Sequence, residues 1–214
     1  MKLPLSKSFM IAVMAASLGL PSSPAAAVTI IEEWGSVKAE PAPALAPVTI
    51  DLKTTALIVM DLVKGSCNDQ RRPRCVASIP EITKLLNEAR AKGMTVVNTT
   101  AGSGPVADIL PPFAPKPGEV VLTGTVADKF IHTDLEKILK DKGITTVIAV
   151  GTSAQGAVLY TASGAALRGL KVIVPVDGSS SESLYAEQAA VWLLTHAPGV
   201  AQQVTLTKID MIKF

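Results

Sequence analysis

The stretch TALIVMD, residues 55–61, decides how the rest of the chain is read. Residues 56–60 are apolar without alternation and end on Asp61, the pattern of a strand covered by helices on both faces. Working outward, further short apolar runs occur at residues 94–98 (MTVVN), 120–122, 147–150 (VIAV), 172–176 (VIVPV) and 204–207. Between them lie segments with helix signals. Ser78-x-x-Glu81 and Thr133-x-x-Glu136 each fit a capping box, and Gly93 and Gly143 follow Lys92 and Lys142 where a helix would stop. Ile82, Leu85, Leu86 and Ala89, and again Leu135, Ile138 and Leu139, keep helical spacing, so each segment has one face to lay on a sheet. Residues 155–170 and 182–195 read as two further helices. The alternation predicts a three-layer α/β/α domain over residues 53–214, with a mainly parallel sheet of about six strands.

Upstream the chain changes character. Lys2 and Lys7 precede the apolar run 9–20 (FMIAVMAASLGL), followed by Pro21 and by Ala25, Ala26 and Ala27. A basic start, a short apolar run and small residues at a cut site are the marks of a secretory signal peptide over residues 1–27, and the run falls short of the ~20 residues that span a bilayer. The retained-anchor alternative requires that short run to cross the membrane. Residues 28–52 then form a Pro-rich arm, with three prolines in AEPAPALAP (39–47), where Trp34 is a candidate anchor to the domain or to another subunit.

Export changes what charge and cysteine mean. The whole chain has 20 Lys plus Arg against 18 Asp plus Glu; removing Lys2 and Lys7 leaves 18 against 18. A neutral exported protein offers no basic face for nucleic acid or anionic lipid, and no second apolar run predicts membrane association after cleavage. Cys67 and Cys75 enclose a short polar segment, with no second Cys pair or His cluster to complete a metal site. A disulfide in an oxidising compartment, periplasmic or extracellular, is the expected arrangement. Closing such a loop stabilises the fold by about 2.5 kcal/mol on the chain-entropy scale.

In a parallel sheet covered on both faces, ligands bind beyond the carboxyl ends of the strands. Asp61 stands there, where a desolvated carboxylate can serve acid-base chemistry or brace the loop that follows. With TALIVMD, the stretches FIHTDLEKILKDKGITTVIAVG (130–151) and GTSAQGAVLYTASGAALRGLKVIVPVD (151–177) resemble, in order and spacing, the isochorismatase-like hydrolases, a family that includes nicotinamidases and related amidohydrolases. The resemblance implies the fold above, a small-molecule substrate or ligand, no cofactor and a homo-oligomer.

It also implies an Asp, a Lys and a Cys in the site. Asp61 matches the Asp. The family nucleophile falls in G-x-x-x-x-x-C-V-x-x-T-A, which here runs from Gly151 to Ala162 with Ala157 at the Cys position. An alanine cannot attack a carbonyl, so the thioester route is closed. True isochorismatases carry a small residue at that position, a pattern Ala157 fits, with Asp61 as general acid. The family Lys register lands on Gly124. The nearest ammonium, Lys129, either reaches the same pocket or is a solvated loop lysine; within about 4 to 6 Å of Asp61 it could tune the acid. Metal-binding relatives use Asp and His in the loop after the second strand, but residues 99–118 contain only Asp108, so no metal is expected. The backbone amides of Ser153 and Ala157 are the implied oxyanion hole, beside a cis peptide placed by the resemblance between Ser153 and Ala154.

The remaining polar candidates read as structural. Ser153 lacks a nucleophile elbow, His132 stands beside a capping residue, His196 falls in the last turn of a helix, and Asp177 reads as loop and cap chemistry. Two functions follow. One is an exported hydrolase working by acid-base chemistry without a cysteine nucleophile. The other is a catalytically inactive binding or assembly protein on the same fold.

Overall fold

Packing of the TALIVM segment sets the layers. In β2 (Thr55–Met60), every residue is buried. Ala56, Ile58 and Met60 enter one apolar core, while Leu57 and Val59 enter a second. Alternate side chains of a strand point to opposite faces, so the two cores are the two sides of one sheet. The strand β5 (Thr146–Thr152) repeats the division, with Val147 and Ala149 on the first side and Ile148 and Val150 on the second.

The structure is a computed structural model that describes residues 28–214; the signal peptide expected over residues 1–27 lies outside the described residues. The chain divides into two units, residues 1–41 and 42–214. In the described part of the first, Glu32 accepts hydrogen bonds from the amide and hydroxyl of Thr29, closing a turn just before Trp34.

The second unit contains β1 (Val48–Thr49), β2, α1 (Pro73–Ala91), β3 (Thr95–Thr99), β4 (Val120–Leu122), α2 (Leu135–Asp141), β5, α3 (Leu159–Leu167), β6 (Lys171–Pro175), β7 (Ser179–Ser180), α4 (Leu184–His196), β8 (Val204–Thr207) and β9 (Ile212–Lys213). The main sheet runs β4-β3-β2-β5-β6-β8, all parallel, and β7 adds to the end of β5, making seven strands where about six were expected. Helices α2, α3 and α4 supply Leu135, Leu139, Ala162, Ala165, Ala190 and Leu194 to the first core, and α1 supplies Ile82, Leu85, Leu86 and Ala89 to the second. The three-layer α/β/α architecture is therefore present.

Local details depart from the sequence reading. Helix α1 starts at Pro73, five residues before Ser78, because proline is preorganised for the first helical position. Ser78 lies inside the helix and donates to the Cys75 carbonyl. At α2 the capping box does not form: the helix starts at Leu135, one residue later than the motif implies, Thr133 accepts from the Leu135 amide, and Glu136 pairs with Arg168. Gly93 and Gly143 end their helices with φ of 71° and 65°. Residues 42–52 of the Pro-rich arm belong to the second unit. There the Ala46 amide donates to Leu206 and β1 pairs in parallel with β9. Cys67 and Cys75 form the expected disulfide, both buried, across the entry to α1.

Candidate active site

Strand order reverses at β2, which has β3 on one side and β5 on the other, so the crevice beyond their carboxyl ends is where this topology places a ligand. Asp61 leaves β2 with φ of 56°, a left-handed backbone that Asp tolerates better than most residues. This turns its carboxylate across the end of β3. The Thr99 hydroxyl, at the last residue of β3, donates to Asp61 Oδ1 at 2.5 Å, and the Asp61 amide donates back to Thr99 Oγ1 at 3.2 Å.

Lys129 approaches from the other side. It is 1% exposed, among the most buried large side chains, and its Nζ donates to Asp61 Oδ2 at 2.8 Å, Thr125 Oγ1 at 2.8 Å and the Val126 carbonyl at 3.0 Å. The solvated-loop alternative for Lys129 is thus incorrect: the ammonium makes three hydrogen bonds inside the fold. What brings it there is the packing of the 125–130 loop on α3. The Lys129 amide donates to Thr161, whose hydroxyl donates to the Ala127 carbonyl. Gly164 lets the loop come close, since a Cβ at that position would stand 2.8 Å from Asp128 Oδ2. Gly124, to which the family register assigned the lysine, has φ of 66° and lies in a turn leading into this loop.

Asp61 and Lys129 open onto a cavity of about 310 Å³, whose lining also includes Arg71, Arg72, Ser153 and Ala157. Ser153 immediately precedes, and Ala157 lies within, a wide helical turn, Ala154–Val158, that runs directly into α3. The Gly156 and Val158 amides donate back to the Ser153 carbonyl, so the amides of this turn are only partly free to meet a ligand. The cis peptide lies between Thr152 and Ser153, one residue earlier than anticipated, at the junction of β5 and this turn.

The other candidates fall elsewhere. His132 is exposed, with φ of 57°, and Asp177 accepts from the Ile209 amide. Burial pushes the Asp177 carboxyl up. His196 stacks on Trp192 at 4.7 Å and meets its carbonyl in the last turn of α4. Among the described residues, no group of three His, Cys, Asp or Glu side chains could hold a metal ion.

Sequence reasoning overlooked Thr99, Thr125 and the arginines at positions 71 and 72. Thr99 was within reach, because the strand-end rule that singles out Asp61 applies equally to the end of β3. Thr125 and the arginines had no such signal, since their place depends on how two loops fold back over the sheet.

The parallel sheet thus carries an acid at its switch point with an ammonium beside it. The chain belongs to the isochorismatase family: residues 55–207 match the Isochorismatase domain. Over 155 residues it is 29% identical to the secreted isochorismatase effector Isc1 of Verticillium dahliae, covering 67% of this chain and 82% of that protein. It is also 29% identical over 146 residues to maleamate amidohydrolase of Pseudomonas putida, covering 56% and 68%. In fold it is similar to an isochorismatase family protein from Desulfovibrio vulgaris, with a TM-score of 0.66, 20% identity, and coverage of 74% of this chain and 95% of that one. A cysteine hydrolase from Pseudomonas syringae has a TM-score of 0.67 at 20% identity, covering 78% and 94%.

Proposed function

We propose that this protein hydrolyses a small molecule by acid-base chemistry centred on Asp61, without a covalent cysteine adduct. The observation that carries the reading is the Lys129 ammonium at 2.8 Å from a carboxylate that faces the cavity. Both Asp61 oxygens act as acceptors, one from Thr99 and one from Lys129, which suits a base that takes a proton from water. In this scheme water attacks the substrate carbon as Asp61 removes its proton. The charge developing on the substrate oxygen lies at the backbone amides of Ser153 and Ala157, and Asp61 returns the proton to the leaving group. Lys129 orients the carboxylate throughout. A vinyl ether would require the same carboxyl to start protonated and deliver its proton to carbon. With Ala157 at the nucleophile position of the family pattern, no thioester is formed.

We further propose that the protein is exported. The leader-like first 27 residues, the Cys67–Cys75 disulfide and the secreted Verticillium relative support this.

One observation favours the inactive alternative. All three Lys129 hydrogens are donated within the protein, as in a purely structural pair. The two readings separate in an assay of purified protein against isochorismate, nicotinamide and maleamate. Turnover of a vinyl ether or small amide supports the hydrolase, whereas ligand-induced thermal shifts without turnover support the binding protein.

A further inference from the structure

We infer that Arg71 and Arg72, carried on the disulfide-closed segment between Cys67 and Cys75, form a carboxylate-binding wall of the Asp61 cavity, so that its ligands are small organic monoanions. This rests on the reading of the cavity as the substrate site. Both arginines line it.

Arg72 is 8% exposed and under-satisfied. One Nη donates to Glu182 at 2.9 Å, the other makes only a long 3.4 Å contact to the Ser66 carbonyl, and the buried Nε has no partner. The buried Nε is out of a ligand's reach, so the donors available to a planar carboxylate are those of the half-exposed Arg71 guanidinium and of the small part of Arg72 that lines the cavity.

The charge balance points the same way. Among the lining residues the cations are Arg71, Arg72 and Lys129 and the one acid is Asp61. Lys129 is committed to Asp61. Arg71 and Arg72 share the single carboxylate Glu182 through its Oε1, and these two guanidiniums hold that carboxyl below the ordinary carboxylate range. One positive charge is left over. A carboxylate matches it, whereas a phosphomonoester, at about −1.5 to −2, overshoots it. A volume of about 310 Å³ lies at the small end of ligand pockets.

The segment is also held in place to do this. The disulfide closes its ends, Asn68 accepts from the Arg71 amide through its side chain and from the Arg72 amide through its carbonyl, and α1 begins at the next residue. The two guanidiniums are therefore presented by a constrained turn.

The test is calorimetric or ligand-observed NMR titration of the oxidised protein with benzoate and with benzamide, a neutral amide of nearly the same shape. Benzoate is expected to bind at least about tenfold more tightly, and Arg71→Gln and Arg72→Gln to erase that preference by weakening benzoate more than benzamide. Arg71 is exposed, so its variant folds even if the buried Arg72 variant does not. Glu182→Gln frees the pair and should tighten benzoate binding severalfold. Equal affinities, no binding of either compound at about millimolar concentration, or a Glu182→Gln variant that leaves benzoate unaffected would overturn the inference. Because binding is read without turnover, an inactive protein that prefers benzoate refutes the hydrolase alone, and an active one that prefers benzamide refutes the anion wall alone.

Discussion

Replacing Lys129 by methionine keeps the apolar stem and removes the ammonium. The Asp61 carboxylate, with a side chain 12% exposed, is then left facing a thioether, with only Thr99 to satisfy it. Removing one partner of a buried ion pair costs about 3–5 kcal/mol, because the remaining charge stays desolvated. Thr125 Oγ1 and the Val126 carbonyl lose their donor as well, although Thr125 keeps its bond to the Thr100 carbonyl. For a domain of this size, each kcal/mol corresponds to about 2–4 °C, so Tm should fall by about 6–20 °C. Urea denaturation at pH 7 of Lys129→Met, Asp61→Asn and the double variant measures the coupling. The double variant should be more stable than the sum of the singles implies by at least about 2 kcal/mol. A Lys129→Met cost below about 1 kcal/mol, or additivity within about 0.5 kcal/mol, would refute the claim that the two charges stabilise each other.

Other perturbations have defined outcomes. Burial works to raise the Glu119 carboxyl, but hydrogen bonds from Arg90, the Lys116 amide and Asn98 outweigh it and hold the group below its ordinary value of 4.5. A depressed acid stabilises the fold above its unfolded value and loses that contribution as pH falls through the folded one. The stability gap between wild type and Glu119→Gln in urea titrations should therefore be full at pH 7 and close below about pH 4.5. The Cys67→Ala/Cys75→Ala pair should cost about 2.5 kcal/mol, read as a lower Tm that dithiothreitol no longer changes. Gly164→Ala should cost about 1–3 kcal/mol by pushing Asp128 and its loop off α3, and Asp128→Ala in the same chain should restore part of it.

What was legible in the sequence follows from what is local. The strand β2 could be read because all six of its residues are buried, and the stripe of Ile82, Leu85, Leu86 and Ala89 because helix periodicity survives in the residue order. β1, β7 and β9 are two residues each, too short to show a pattern, and exist only because a neighbouring strand offers hydrogen bonds. The start of α1 was misplaced because Ser78 and Glu81 match a cap motif, while Pro73 is the residue that nucleates the helix. Asp61 was legible as a strand-end acid. The burial of Lys129 was not, because it depends on Thr161 and Gly164, more than 30 residues away in α3.

The central claim is that Asp61 performs the proton transfer without thiol chemistry. The most direct measurement is the hydrolysis rate of the best substrate among isochorismate, nicotinamide and maleamate, compared between wild type and Asp61→Asn, each with and without prior iodoacetamide. The account predicts a loss of about 10²–10⁴-fold in the variant, the range that general acid-base catalysis supplies, and no effect of alkylation. An Asp61→Asn protein that hydrolyses the substrate at the wild-type rate, or a wild-type protein that hydrolyses none of the three, would contradict it.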